Sequence, residues 1–167
     1  MDKIIALILE NFTVVCLVLS AASSVVAFIV TRNFNTANRV LIKSMMFLAV
    51  GLSGIWGFYY HAFEPEMSAA FIGWKNSPFQ FEVAMANLGM GLAGIIGFWR
   101  TVEFALATWV FTASFLWGAA YGHVKQMIET GNMAAGNAGP IFYTDILIPL
   151  VLLIAIIYAK RSNVNAL

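Results

Sequence analysis

Two histidines, His61 and His123, and eight acidic residues carry most of the ligating and proton-exchanging chemistry of this chain. Glu64 follows His61 by three residues, a spacing that puts both side chains on one helical face. Glu10, Glu82 and Asp145 each lie inside, or at the edge of, a long apolar stretch. An ionisable group in such a stretch costs at least about 2.5–3.5 kcal/mol on insertion scales, so it is expected to face protein or a wet cavity. Glu10 and Glu82 are expected to be buried; His61, His123 and Asp145 sit at boundaries, where reaching water is easy. Carboxylates gathered in one apolar pocket repel, and they need a cation or a proton between them. Two imidazoles with two or three carboxylates suit Zn, Fe, Mn or Cu(II), and di-iron bundles project a comparable set inward from several helices. The sequence therefore predicts a divalent transition-metal site. His61 and His123 would supply nitrogen, Glu82 and Asp145 charge-neutralising oxygen, and Glu10 a bridging or supporting carboxylate, with Glu64 at the periphery. The same groups without metal would make a proton-transfer chain or a carboxylate–imidazole hydrogen-bond network.

Membrane spans are the elements that would bring these groups together. Of the 167 residues, 61% are hydrophobic and only 10% charged, against about 45–50% and 25% in soluble domains. A single core of this length could not hide so much apolar surface from water. Five stretches, 4–30, 40–61, 81–99, 103–122 and 142–159, can each cross roughly 30 Å of hydrocarbon as helix at about 1.5 Å per residue. Their apolar runs are continuous, whereas barrel strands alternate. The expected fold is an all-α integral membrane protein, one domain over 1–167, built as a bundle of five transmembrane helices. The first stretch overruns a signal-peptide h-region and its charged start (Asp2, Lys3) is weak, so it reads as an uncleaved span.

Basic residues set the expected orientation. Arg32, Arg39, Lys43, Arg100, Lys160 and Arg161 fall on one side of the five-span scheme, and Lys3, Lys75 and Lys125 on the other. By the positive-inside rule the N-terminus is outside and the C-terminus cytoplasmic, in a multi-pass protein of the cell (inner) membrane. Seven of the eight acids then lie on the outer half, only Glu103 on the inner. Arg100 and Glu103, three apart, are expected to pair at the inner interface. Of the two long outer connections, 63–80 reads as an interfacial segment with Trp74 at headgroup depth. The other, 123–141, should continue the fourth helix for two turns, stop at Gly131, and cross 132–140, a Gly-, Ala- and Asn-rich run with little to bury.

Small residues three and four apart mark helix contact faces in lipid. The third span carries Ala86, Gly89, Ala93 and Gly97 on one face with Gly91 and Gly94 beside it, and the second carries Gly51, Gly54 and Gly57. Thr13, Ser20 and Ser24 run down the first span, and Thr108, Thr112 and Ala119 down the fourth. Extended outward, these stripes lead to Glu10, His61, Glu82 and His123, and Asp145 opens the fifth span. Other chemistry is thin. There is no G-x-S-x-G, P-loop or H-E-x-x-H motif, and no internal repeat of the transporter kind. The lone Cys16 allows no disulfide within the chain, and scattered methionines read as packing. Asn11 and Asn87 should hydrogen-bond between helices, and a net charge of +1 gives no case for nucleic acid.

The run Gly73-Trp74-Lys75-Asn76-Ser77-Pro78-Phe79-Gln80-Phe81-Glu82-Val83, with Asn87-Leu88-Gly89 after it, resembles a family of small prokaryotic multi-span membrane proteins grouped as a domain of unknown function. Gly122-His123, followed by Gly131-Asn132 and Gly136-Asn137-Ala138-Gly139, resembles the same family. The resemblance covers about the second half of the chain; it implies a helical membrane fold and brings no activity with it. Metal handling or redox chemistry beside the membrane is the leading expectation. The rivals are a proton or ion pathway and a small oligomeric scaffold or accessory subunit of a membrane complex. Expected partners are the lipid bilayer and further copies of the chain or complex subunits.

Overall fold

A computed structural model describes residues 10–163, so residues 4–9 of the first expected span, and Asp2 and Lys3, lie outside the described chain. The described elements are helices: α1 (Phe12–Thr31), α2 (Phe34–Phe63), α3 (Pro65–Ile72), α4 (Phe79–Gly97), α5 (Val102–Thr130), α6 (Ala135–Ala138) and α7 (Pro140–Arg161). Five segments are long and apolar enough to cross a membrane: α1, α2, α4, α5, and α6 with α7 as Ala135–Arg161.

Local chemistry sets the helix ends. Asn33 Oδ1 accepts from the Thr36 N–H (3.1 Å) and starts α2; Thr101 Oγ1 accepts from the Phe104 N–H (3.4 Å) and starts α5. Each satisfies one of the donors that a helix start leaves orphaned. Pro65 and Pro140 open α3 and α7, where a missing N–H costs nothing. Gly73 and Gly131 close α3 and α5 in the left-handed region, at φ 78° and 68°.

Packing puts α2 at the centre and α1 at the rim. In α2 the stretch Met45–Leu52 is π-helical, and Met45, Met46, Ala49, Val50 and Gly51 within it are all buried. Ile42, Val102, Ile148, Leu152 and Ile156 complete the buried core around it. In α1 only Cys16 and Ser20 are buried. That helix is tied on by polar atoms: Ser24 Oγ donates to Ala37 O (2.9 Å), the Ser23 and Ser44 hydroxyls meet at 2.6 Å, and those of Thr13 and Thr144 at 2.9 Å.

The α2–α4 contact is made by glycines, on a different line from the one expected. A Cβ on Gly54 would lie 2.6 Å from Gly91 N, and one on Gly94 would lie 2.5 Å from Gly51 N. These backbones touch, which is how small residues bind helices in lipid. A Cβ on Gly89 would meet nothing within 4 Å. Of the expected line Gly89 is open, Ala86 and Ala93 are half-buried and Gly97 is buried against Met46, and the backbone seam runs through Asn87, Gly91 and Gly94, all buried.

The two ends of the bundle differ. One carries α3, α6 and the starts of α4 and α7. The other carries Arg32, Arg39, Lys43, Arg100, Lys160 and Arg161. There the expected Arg100–Glu103 pair is replaced by Glu103 Oε1 with Lys160 Nζ at 3.8 Å. Arg100 lies in the turn before α5 begins at Val102, so the helical i,i+3 spacing does not apply to it.

Candidate functional site

His123 and Asp145 come together at the α3/α6 end, and a loop residue completes the site. His123 lies on α5, Asp145 at the second turn of α7, and both are buried. His123 Nε2 stands 3.6 Å from Asp145 Oδ2, an ion-pair separation longer than a hydrogen bond. On the other side of the ring, His123 Nδ1 is 2.8 Å from Asn137 Oδ1. The Asn137 amide cannot be turned round. Its Nδ2 donates to two carbonyls, Asn132 O at 2.9 Å and His123 O at 3.3 Å, and carbonyls only accept. Oδ1 therefore faces the imidazole, and Nδ1–H donates to it.

Proton accounting follows from that tautomer. With Nδ1 protonated, a neutral His123 turns the Nε2 lone pair toward the Asp145 carboxyl. If Asp145 were also ionised, lone pair and carboxylate would repel. One proton, on Nε2 or on Oδ2, turns that repulsion into attraction. Among the described residues, no ion pair other than that with His123 reaches the Asp145 carboxylate.

The walls of the site come from the loops. The Trp74 ring lies over His123, with centroids 5.6 Å apart, and Phe142 meets the ring edge-on at 6.5 Å. Asn132 Nδ2 donates to Ile72 O (3.0 Å), and Asn132 Oδ1 accepts from Ala134 N, so the two connections are latched to each other. Gly136 fits because a Cβ there would meet Phe71 at 2.6 Å. In α7, Pro149 has no N–H for the carbonyl four residues earlier, which belongs to Asp145. Trp109 Nε1 donates to Pro149 O (2.8 Å) beside this break.

The other expected site residues lie elsewhere. Glu82 is exposed in the first turn of α4, on the same line as Ala86 and Gly89, and its charge there suits the helix N-terminus. Glu10 is exposed at the beginning of the described chain. Glu64 is half-buried at the junction where α2 ends at Phe63, so the His61-x-x-Glu64 spacing leaves the helix before its fourth residue. His61 lines a different cavity, with Nδ1 buried and without a hydrogen-bond partner among the described residues. Among the described residues no three His, Cys, Asp or Glu side chains form a group able to hold a metal ion. His123 and Asp145 alone offer two donors, where zinc takes four.

Asn137 is the site residue that sequence reasoning passed over. The 132–140 run was expected to bury little, yet Asn137 is fully buried. Its signal was present in the Gly136-Asn137-Ala138-Gly139 block, one of the two runs that carry the family resemblance. No curated protein and no solved structure matches the chain. A family model does match, over residues 10–165, and by it the chain belongs to DUF6790, a family of unknown function.

Proposed function

We propose that this is a five-span membrane protein whose His123–Asp145 pair holds one exchangeable proton, the working element of a proton-coupled or pH-responsive function. The N-terminus and the α3/α6 end face outward and the basic end faces the cytoplasm, a reading supported by the distribution of Lys and Arg. The observation that carries the proposal is the Asn137 amide, which commits Nδ1 as donor and leaves Nε2 to share its proton with Asp145. Ionisable groups buried among spanning helices are costly and by default functional. The site exchanges protons with its own end of the bundle. Inward along the same face of α5 stand Ala120 and Leu116, both buried and apolar, before the next hydroxyl, Thr112. A preformed proton wire to the basic end is therefore not part of this reading.

Histidine-selective nitrogen NMR tests it. The chain has two histidines, so His61→Gln identifies the His123 signals. The expected result is Nδ1 protonated throughout a pH titration, while Nε2 gains or loses a proton in a step that Asp145→Asn abolishes or moves. An Nε2 signal unaffected by Asp145→Asn overturns the proposal and leaves the network as a structural latch. Stoichiometric metal in protein purified without chelator, lost in His123→Gln, would replace the proton with a metal.

A further inference from the structure

A second candidate site lies on the same end of the bundle, in an open groove of about 640 Å³ beside the α3–α4 connection. His61, Glu66, Lys75, Asn76, Gln80 and Phe81 are among its walls. Two of these residues carry opposite full charges and do not neutralise each other: among the described residues no ion pair joins Lys75 to Glu66 or to any other acid. Glu66 is held by Asn76, whose Nδ2 donates to Oε1 at 2.7 Å, which leaves Oε2 for a cation. Gln80 Nε2 reaches Pro65 O at 3.4 Å and closes one side. His61 Nδ1 is buried in the wall with no partner among the described residues. A groove lined by a cation and a carboxylate that are not paired with each other, each with capacity left, suits a ligand carrying both charges. A simple anion would meet Glu66, and a simple cation would meet Lys75.

The surroundings point to the source. Phe63, Phe79 and Phe81 are all more than half exposed around this connection, and Trp74 next to Lys75 belongs to the residue class that marks headgroup depth. We propose that the cavity binds a zwitterion bearing a phosphate and a primary ammonium, the phosphate toward Lys75 and the ammonium toward Glu66. The same chemistry occurs in the headgroup of phosphatidylethanolamine and in soluble phosphoethanolamine. Primary ammonium matters here because its N–H groups can donate to Oε2, which a trimethylated amine cannot do.

Native mass spectrometry of the purified protein with an equal mixture of phosphatidylethanolamine, phosphatidylcholine and phosphatidylglycerol tests the proposal. Phosphatidylethanolamine should be retained over the other two. Lys75→Gln and Glu66→Gln should each reduce its retention roughly fivefold, the effect of one interfacial charge. Lys125→Gln, on an exposed lysine that already has Glu129 beside it at 3.9 Å, should leave retention unchanged. Competition by soluble phosphoethanolamine as effective as that by the lipid would support the site with a soluble ligand as its source; competition by the lipid alone would support it with a lipid source. Preference for phosphatidylglycerol, no effect of Glu66→Gln, or an equal loss with Lys125→Gln overturns it. Lys75 and Glu66 are both exposed, so neither variant threatens the fold, and an unchanged unfolding midpoint checks this.

Discussion

Asn137 accepts from the imidazole through one atom and donates to two carbonyls through the other. Replacing it separates those roles. Asn137→Asp keeps an acceptor for His123 Nδ1 but leaves the carbonyls of His123 and Asn132 without their donor; Asn137→Leu removes all three bonds. Leaving buried polar groups unpaired costs about 1–3 kcal/mol. Both variants should therefore unfold earlier in denaturant. In Asn137→Leu the histidine tautomer should also no longer be held, visible as mixed Nδ1 and Nε2 protonation by NMR. A fixed tautomer in that variant would remove Asn137 from the site. His123 and Asp145 were legible as candidates, because an ionisable group near the end of an apolar run stands out by composition, but their burial was not, since the sequence puts both at a boundary with water in reach. Asn137 was not, since Gly–Asn–Ala–Gly has no hydropathy signal and its value depends on a partner 14 residues away. Glu82 and Glu10 were misjudged for the opposite reason. Their charge was visible, but whether the first-turn carboxylate of Glu82 turns inward depends on helix rotation, which composition does not encode, and Glu10 stands before α1 begins at Phe12.

Helix rotation is the matter on which element-scale predictions separate. Gly54 and Gly94 face backbone at 2.6 and 2.5 Å, and backbone cannot move aside without parting α2 from α4. Gly54→Ala and Gly94→Ala should each destabilise the protein by about 1–3 kcal/mol, the usual cost of overpacking. Gly89→Ala meets open space and removes a poor helix former, so it should be neutral or stabilise by up to about 1 kcal/mol. Thermal unfolding in one detergent orders the three variants, and a Gly89→Ala loss as large as the others would contradict the seam. The stripe on α2 was readable from spacing because its glycines form one line. On α4 two lines of small residues run side by side, and choosing between them needs the partner helix. The π-helical stretch in α2 was not readable either, because a run of buried apolar residues looks alike at either helical pitch.

For the molecule as a whole, the number of apolar helices followed from length and hydropathy, the strongest signals a membrane sequence has. Sidedness is a charge argument and has a direct test. In a Cys16→Ala background, Ser77→Cys beside the α3–α4 cavity should react with a membrane-impermeant maleimide on intact cells. Asn163→Cys, beyond α7, should react only after lysis. The reverse pattern would invert the proposed orientation and move both candidate sites to the cytoplasmic face.

Trp74 and Lys75 are consecutive residues. One lies over the imidazole of His123 and the other belongs to the wall of the cavity. Gly73 before them turns with φ at 78°, and Asn132 holds its carbonyl from the α5–α6 side. A molecule that immobilises the lysine is therefore expected to restrain the neighbouring indole, which packs against the imidazole of His123. Thermodynamic reciprocity makes such a linkage run both ways: an occupant that shifts proton uptake must have its own affinity shifted by pH in equal measure. Two sites separated by a single peptide bond are thus expected to behave as one balance.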